Sequence, residues 1–319
     1  MLQSLLKRLV QFVVVLVLVT FGTTALTLLI PGNPAYGYLG RYATKAAVAH
    51  FDSEYGFNQP IFVRYWHWLV AALHGNLGVS IQAQEPVVHL ISQALPVTLE
   101  LSLCSLVLST ILGVGLALAS ALRPGGVFDR ITVAFSSLFY SLPPFVVAVF
   151  FVILFTTKLH LFPSLGWVPL SQSITGNVQH AALPILVLTV TGVTVPLRIL
   201  RGDLEAVLND AYIVSARARG LPEWYVLLRH AFRPASSSLV TLIGIAVGFF
   251  LAGSIVVETF FTLPGFGLLF SNALSGKDIT VDQGLVVVIA VVYMTANLAV
   301  DLCLPLIDPR LRSATSAHA

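Results

Sequence analysis

Residues 213–235 read IVSARARGLPEWYVLLRHAFRPA. Four arginines, Arg217, Arg219, Arg229 and Arg233, stand in this stretch, inside a chain that is otherwise strongly apolar. Of 319 residues, 57% are hydrophobic and only 10% charged, with a mean hydropathy of +0.90. A soluble domain carries charge on about a quarter of its residues. The composition therefore describes an integral membrane protein, and a basic stretch within it needs a side of the membrane and a partner.

The net charge of +3 and a pI near 9.0 do not point to nucleic acid. The lysines and arginines fall at loop positions, where the positive-inside rule accounts for them. Cys104 and Cys303 sit in apolar runs and read as small core residues. Two isolated thiols make neither a disulfide framework nor a metal site, and no cofactor motif is present.

A helix needs about 20 apolar residues to cross the hydrocarbon. Six stretches qualify: 9–30, 101–122, 131–157, 181–197, 237–257 and 284–306. The third holds Pro143-Pro144, and prolines fall at 184 and 196 around the fourth. Prolines inside spans imply neighbours that re-satisfy the freed backbone groups, hence a packed bundle. The first stretch follows Lys7 and Arg8 like a signal peptide, but its apolar run is too long and ends in Pro-Gly-Asn-Pro; it reads as a retained anchor. Alternating the spans puts twelve basic residues on one side and five on the other. Both termini, and with them residues 213–235, are thus expected in the cytoplasm. The polar outer segment, 32–97, contains PIFVRYWHWLVAALHGNLGVSI (60–81), an amphipathic piece whose Tyr65, Trp66 and Trp68 suit an interfacial position or packing against the bundle.

The connection between the fourth and fifth spans is far longer than the roughly 2–8 residues usual in a bundle. RGDLEAVLNDAYIVSARARG (201–220) reads as helix, with Asp or Asn as caps and Gly220 as the stop. Leu221-Pro222-Glu223 restarts a helix, on which Trp224, Leu227, Leu228, Ala231 and Phe232 are expected to share a face. The result is a basic helical elbow. Charge alone leaves two readings open: an elbow that docks a soluble partner, or a loop touching only lipid headgroups.

The elbow resembles the cytoplasmic signature of binding-protein-dependent ABC importer permeases, in their peptide and nickel branch. DAYIVSARARGLPEWYVLLRHAFRPA (210–235) follows that branch's Tyr-Ile/Val-x-x-Ala-Arg-Ala-Lys-Gly-Leu run. IPGNPA (30–35), YGFNQPIFVRYWHWLVAALHGNLGVSI (55–81), VVETFFTLPGFGLLF (256–270) and DLCLPLIDPRLR (301–312) resemble further motifs of the branch, in order along the chain. Val214 and Ser215 depart from the wider family, where Glu-Ala is common, so no role for that glutamate carries over. Within the branch the chain looks like a dipeptide or oligopeptide permease of the "B" type.

The resemblance implies an all-α, polytopic, multi-pass protein of the plasma (inner) membrane, with six transmembrane helices in a type I importer bundle. It divides the chain into an anchor with outer segment (1–93), a permease domain (94–308) that contains the coupling loop 201–236, and a cytoplasmic tail (309–319). It implies a non-catalytic subunit that works with a second, homologous permease subunit, one or two ABC ATPases and an extracytoplasmic peptide-binding protein. The ATPase-docking residues would be Ala211, Tyr212, Ser215, Ala216, Arg217, Ala218, Arg219, Gly220, Leu221 and Pro222. Gly220 would let the chain turn where a side chain would clash, and Arg217 and Arg219 would meet acids on the ATPase for ~0–1 kcal/mol each. No G-x-x-x-x-G-K-[ST] is present, so ATP is hydrolysed elsewhere.

Charged residues at membrane depth default to functional candidates. Glu258 with Phe261, Pro264 and Gly265 is a candidate gate or constriction; exposure to headgroups is the plainer reading for Glu258, as for Glu100. Asp301 lies deeper, with Tyr293 and Asn297 as candidate partners, and is a candidate pathway residue. Two other classes compete. An ion-coupled secondary transporter would use Asp301, Glu100 and Glu258, but shows no inverted repeat here. An intramembrane enzyme has no support, because all eight histidines lie outside the apolar stretches. Within the branch, nickel or glutathione is the alternative cargo.

Overall fold

Ile111, Val107 and Leu103 form an exposed stripe along one helix, while Thr98, Ser102, Ser105 and Ser109 are buried on its other side. This inverts the pattern of a soluble helix. It is the pattern of a membrane helix, which turns aliphatic side chains to lipid and packs small polar ones against its neighbours. The computed structural model describes residues 2–26 and 34–307. Within them the chain is helical, with a single isolated bridge between Val79 and Pro86.

The helices are α1 (Leu2–Leu26), α2 (Pro34–Leu39), α3 (Lys45–Glu54), α4 (Ile61–Leu73), α5 (Val87–Ala121), α6 (Val127–Ser141), α7 (Pro144–Phe151), α8 (Ile174–Gly192), α9 (Thr194–Leu208), α10 (Ala211–Ala218), α11 (Glu223–Tyr225), α12 (Phe232–Ala235), α13 (Ser237–Phe261), α14 (Phe266–Gly276) and α15 (Ile279–Ile307). Among the described residues, four are long and apolar enough to cross a membrane: α5, α8 with α9, α13 and α15. The bent pair α6–α7 makes a fifth if counted as one span. The first expected span falls on α1, whose apolar part, Val10–Ala25, is shorter.

Two expected spans differ in shape. Residues 131–157 are not one long helix: the chain bends by 108° between α6 and α7. Leu142 is extended (ψ 129°), as the residue before a proline prefers, and Pro144 opens α7. The fourth span does not stop near Arg198. It continues as α9 to Leu208, because Arg198 and Arg201 find partners on α6.

The chain forms two compact units. The first comprises residues 1–98 and 264–295. In it α4 packs on α1: the Thr20 and Tyr65 hydroxyls are 2.9 Å apart, and Phe21 stacks on Phe62. Tyr65 is therefore buried, not interfacial, whereas Trp66 on the same helix is exposed. Leu77, Val87, Ile91, Phe266, Val281 and Leu285 form this unit's core. A tight turn at 79–86 is pinned to the start of α15. Asp278 accepts from the Ser80 hydroxyl (2.5 Å), the Gln82 N–H (3.1 Å) and the Val281 N–H (3.3 Å), and the Gln82 amide donates to the Gly276 carbonyl (3.0 Å). The turn approaches so closely that a Cβ on Gly78 would lie 2.6 Å from the Thr280 methyl.

The second unit comprises residues 99–263 with the end of α15. Here α13 packs against α7, α8 and α9. Gly192 is the closest approach: a Cβ there would lie 2.3 Å from Cζ of the buried Phe250. Cys104 is exposed on α5, not a core residue. An aliphatic environment suits a thiol as well as a protein core does.

Candidate functional site

The elbow is built from α9 outward. Leu197, Leu200, Leu204 and Leu208 fall at heptad-like spacing on α9 and are buried. They share one core with Ile213 and Ala216 of α10 and with Val226, Leu227, Ala231 and Ala235 beyond it. The expected single helix over 201–219 is thus broken into α9 and α10. Asp210, in extended conformation (φ −69°, ψ 146°), caps α10 through its carbonyl, which accepts from the Ile213 and Val214 N–H groups. The break turns Ile213 and Ala216 back onto α9, where a continuous helix would have carried them into solvent.

Arg219 ends α10 and Gly220 turns the chain with φ +78°. No atom lies within 4 Å of where a Gly220 Cβ would be. A side chain would therefore meet no packed neighbour; glycine is favoured here because at this left-handed φ a Cβ crowds its own backbone. Pro222 precedes α11, and residues 226–231 form a π-helical turn. That wider turn shifts the phase of the second arm. Leu227 and Ala231 are buried, but Trp224 and Leu228 are exposed, so the five residues expected on one face are split between two.

Arg217 has partners within the elbow itself. Its guanidinium lies across the Gly220 turn on Glu223, Nε 3.0 Å from Oε1 and Nη2 3.1 Å from Oε2, and it donates to the Leu208 carbonyl at 3.4 Å. Arg219 donates to the Ser215 carbonyl at 3.4 Å. Tyr212 donates to the His230 carbonyl at 3.4 Å and so ties the two arms together. Partial burial and the charge of Asp210 raise the Tyr212 phenol above its ordinary pKa, keeping it a donor. The elbow turns an apolar group outward, Tyr212, Val214 (56% exposed), Trp224 (60%) and Leu228 (51%), among the exposed charges of Arg217, Arg219, Glu223, Arg229 and Arg233. Ala211, Ser215, Ala218 and Pro222 are exposed beside them, while Ala216 is buried and Leu221 half-buried.

The candidate gate residues divide between the two units. Glu258 and Phe261 lie in the second, both buried, and the Glu258 carbonyl accepts from the Leu263 N–H. Exposure of Glu258 to headgroups is thereby excluded. Pro264 (exposed) and Gly265 (buried) lie in the first, where Gly265 precedes α14 and the Phe266 N–H donates to the Thr98 hydroxyl at 2.8 Å. Asp301 falls on α15, but its side chain, like that of Cys303, lies outside the described residues, as do most of IPGNPA and the end of DLCLPLIDPRLR. Among the described residues, no cluster of His, Cys, Asp and Glu has a metal-binding arrangement.

Sequence reasoning missed the contacts that fix the elbow's stem. Asp129 on α6, buried, takes both oxygens to Arg201 (Nε–Oδ1 2.7 Å, Nη2–Oδ2 2.9 Å) and accepts from the Gly125 N–H. No local pattern pairs residues 72 positions apart. The one available signal was an acid and an arginine, each flanking a span.

The family described as binding-protein-dependent transport system inner membrane component matches residues 110–313, and the N-terminal domain found with it matches residues 1–102. The chain belongs to that family. It is an inner-membrane permease component of a binding-protein-dependent transport system. Among relatives of this permease, a probable peptide ABC transporter permease of Sinorhizobium fredii is 35% identical, over 97% of this chain and 98% of that one. A putative peptide transport system permease of Brucella abortus is 33% identical over the same shares. The dipeptide transport system permease of Escherichia coli is 32% identical over 98% and 99%. In fold, the permease is similar to a chain of the MetNI methionine ABC transporter in an inward-facing conformation (TM-score 0.57, 17% identity, 69% of this chain and 96% of that one).

Proposed function

We propose that this permease carries dipeptides or oligopeptides handed over by an extracytoplasmic binding protein, and that residues 211–222 dock a partner ATPase on the cytoplasmic side. The relatives named above are peptide and dipeptide permeases, aligned along nearly the whole chain. The observation that carries the docking reading is the elbow's two-sidedness. Its inner residues are locked into the α9 core, while Tyr212, Val214, Trp224 and Leu228 face outward. Water is a poor environment for such a group, and lipid headgroups give it no fixed seat. Covering Val214 and Leu228, each already about half covered, supplies roughly 1 kcal/mol apiece, with Trp224 and Tyr212 adding to it, whereas an exposed ion pair supplies about 0–1. Apolar insertion therefore dominates the affinity.

The permease would work as one half of a pair with a second, homologous subunit. Closure of the ATPases would displace the elbows as rigid bodies and rearrange the spans between inward and outward access. The test is a cysteine at Val214 in the assembled transporter, crosslinked to single cysteines in the ATPase. A crosslink that tracks the nucleotide state is expected; an assembled, active transporter with no such crosslink at any ATPase position overturns the docking reading. Uptake of radiolabelled alanylalanine, against nickel and glutathione, by proteoliposomes holding all subunits tests the cargo.

A further inference from the structure

Three side chains of α9, Thr194, Arg198 and Arg201, stand at i, i+4 and i+7 and so form one stripe. All three are bonded to α6. The Thr194 hydroxyl donates to the Ser136 carbonyl at 3.2 Å. Arg198 donates from Nη2 to the Ser137 hydroxyl (2.8 Å) and from Nε to that of Ser136 (3.4 Å), with its guanidinium over the Tyr140 ring (5.2 Å to the centroid). Arg201 clamps Asp129 through two parallel bonds. The stripe runs antiparallel to its partners, the low-numbered end of α6 lying beside the high-numbered end of α9.

We propose that Arg201 and Asp129 are positioning residues for transport: with Arg198 they form a polar seam that makes α6 move with the elbow. The inference rests on the docking reading above and goes beyond it by naming which span the elbow drives. Apolar helix contacts are many small attractions, none of which fixes an angle by itself. A bidentate arginine–carboxylate pair fixes distance and angle together. Asp129 is held from behind by the Gly125 N–H, so the clamp ends on backbone, not on a free rotamer. At its other end α9 is joined to α10 by only Asn209 and Asp210 and shares the buried core of Leu204, Leu208, Ile213 and Ala216. A push on α10 therefore reaches α9 without slack, and the seam hands it to α6 and to the 108° bend that α6 makes with α7.

The experiment uses the complete transporter in proteoliposomes with alanylalanine as cargo and reads two quantities, ATP hydrolysed and peptide accumulated. Asp129→Asn keeps an acceptor for Gly125 but removes the charge; Arg201→Lys keeps the charge but removes the fork. The expected result is continued hydrolysis with peptide delivered per ATP reduced about tenfold, the size of a typical coupling between sites. A role confined to stability would lower both quantities together. Wild-type peptide per ATP in both assembled variants overturns the proposal. Spin labels at Leu138 on α6 and Asn209 beside the elbow provide a second arm in otherwise wild-type protein. Their separation is expected to stay constant between the nucleotide-free and vanadate-trapped states, and a change overturns the proposal even where a variant fails to assemble. The Val214 crosslink separates the two ideas. With the crosslink present and the seam variants normal, the seam fails alone; with the crosslink absent, the docking reading fails.

Discussion

Arg217 and Glu223 close a salt bridge across the Gly220 turn, with Nε 3.0 Å from Oε1. The arginine that charge pattern would send to a partner is already held within the elbow. Both side chains remain well exposed, so the pair is worth little to stability, about 0–1 kcal/mol. Arg217→Ala should therefore leave thermal unfolding in detergent nearly unchanged and weaken ATPase binding less than about tenfold. Trp224→Ala and Val214→Asp should weaken it much more, since the first removes apolar contact and the second adds a carboxylate that docking would have to desolvate. Affinities of purified permease for ATPase in nanodiscs order the three; an Arg217 effect larger than that of Trp224 would show that charge, not apolar insertion, carries docking.

Gly220 offers a sharper test because space and backbone are separable there. Its Cβ position is open, while φ is +78°. A β-branched residue pays the left-handed penalty of ~1–2 kcal/mol, whereas asparagine tolerates that region far better. Gly220→Val should insert and assemble yet hydrolyse ATP with little uptake, and Gly220→Asn should stay close to wild type. Equal behaviour of the two variants would mean that the turn's conformation is not what matters.

In the first unit, Asp278 gathers three donors from Ser80, Gln82 and Val281. Removing one hydrogen bond to a charged group costs roughly 1.5–3 kcal/mol. Ser80→Ala should speed hydrogen exchange at the Gln82 amide and expose residues 79–86 to protease, and Asp278→Ala should do so more strongly. Unchanged exchange in Asp278→Ala would show that packing alone holds the turn.

Gly192 presses against the Phe250 ring, with only 2.3 Å left for a Cβ. A buried ring cannot swing aside as a flexible chain end can, so Gly192→Ala should destabilise by about 1–3 kcal/mol. Phe250→Leu in the same chain should recover part of the loss. Melting temperatures of the single and double variants measure both effects.

The chain's apolar blocks made the membrane class and most spans legible, because hydropathy acts residue by residue. Gly220 and Pro222 marked the elbow for the same local reason. The α6–α7 bend was half legible: Pro143-Pro144 signalled a break, but its angle depends on what α7 packs against. The π-helical turn at 226–231 was hidden, since periodicity arguments assume 3.6 residues per turn, and so was the split that leaves Trp224 and Leu228 outward while Leu227 and Ala231 are buried. Burial of Glu258 and the Arg201–Asp129 clamp were hidden as well, because both depend on partners distant in sequence.

The bond between Ser80 and Asp278 spans 198 residues. At ~5–20 residues per second of translation, the hydroxyl waits roughly 10–40 s before its acceptor leaves the ribosome. Until then the turn at 79–86 lacks the carboxylate that organises it. Maturation of that turn is thus timed by the arrival of α15, and a nascent chain truncated before residue 278 would present it unfinished to quality-control proteases.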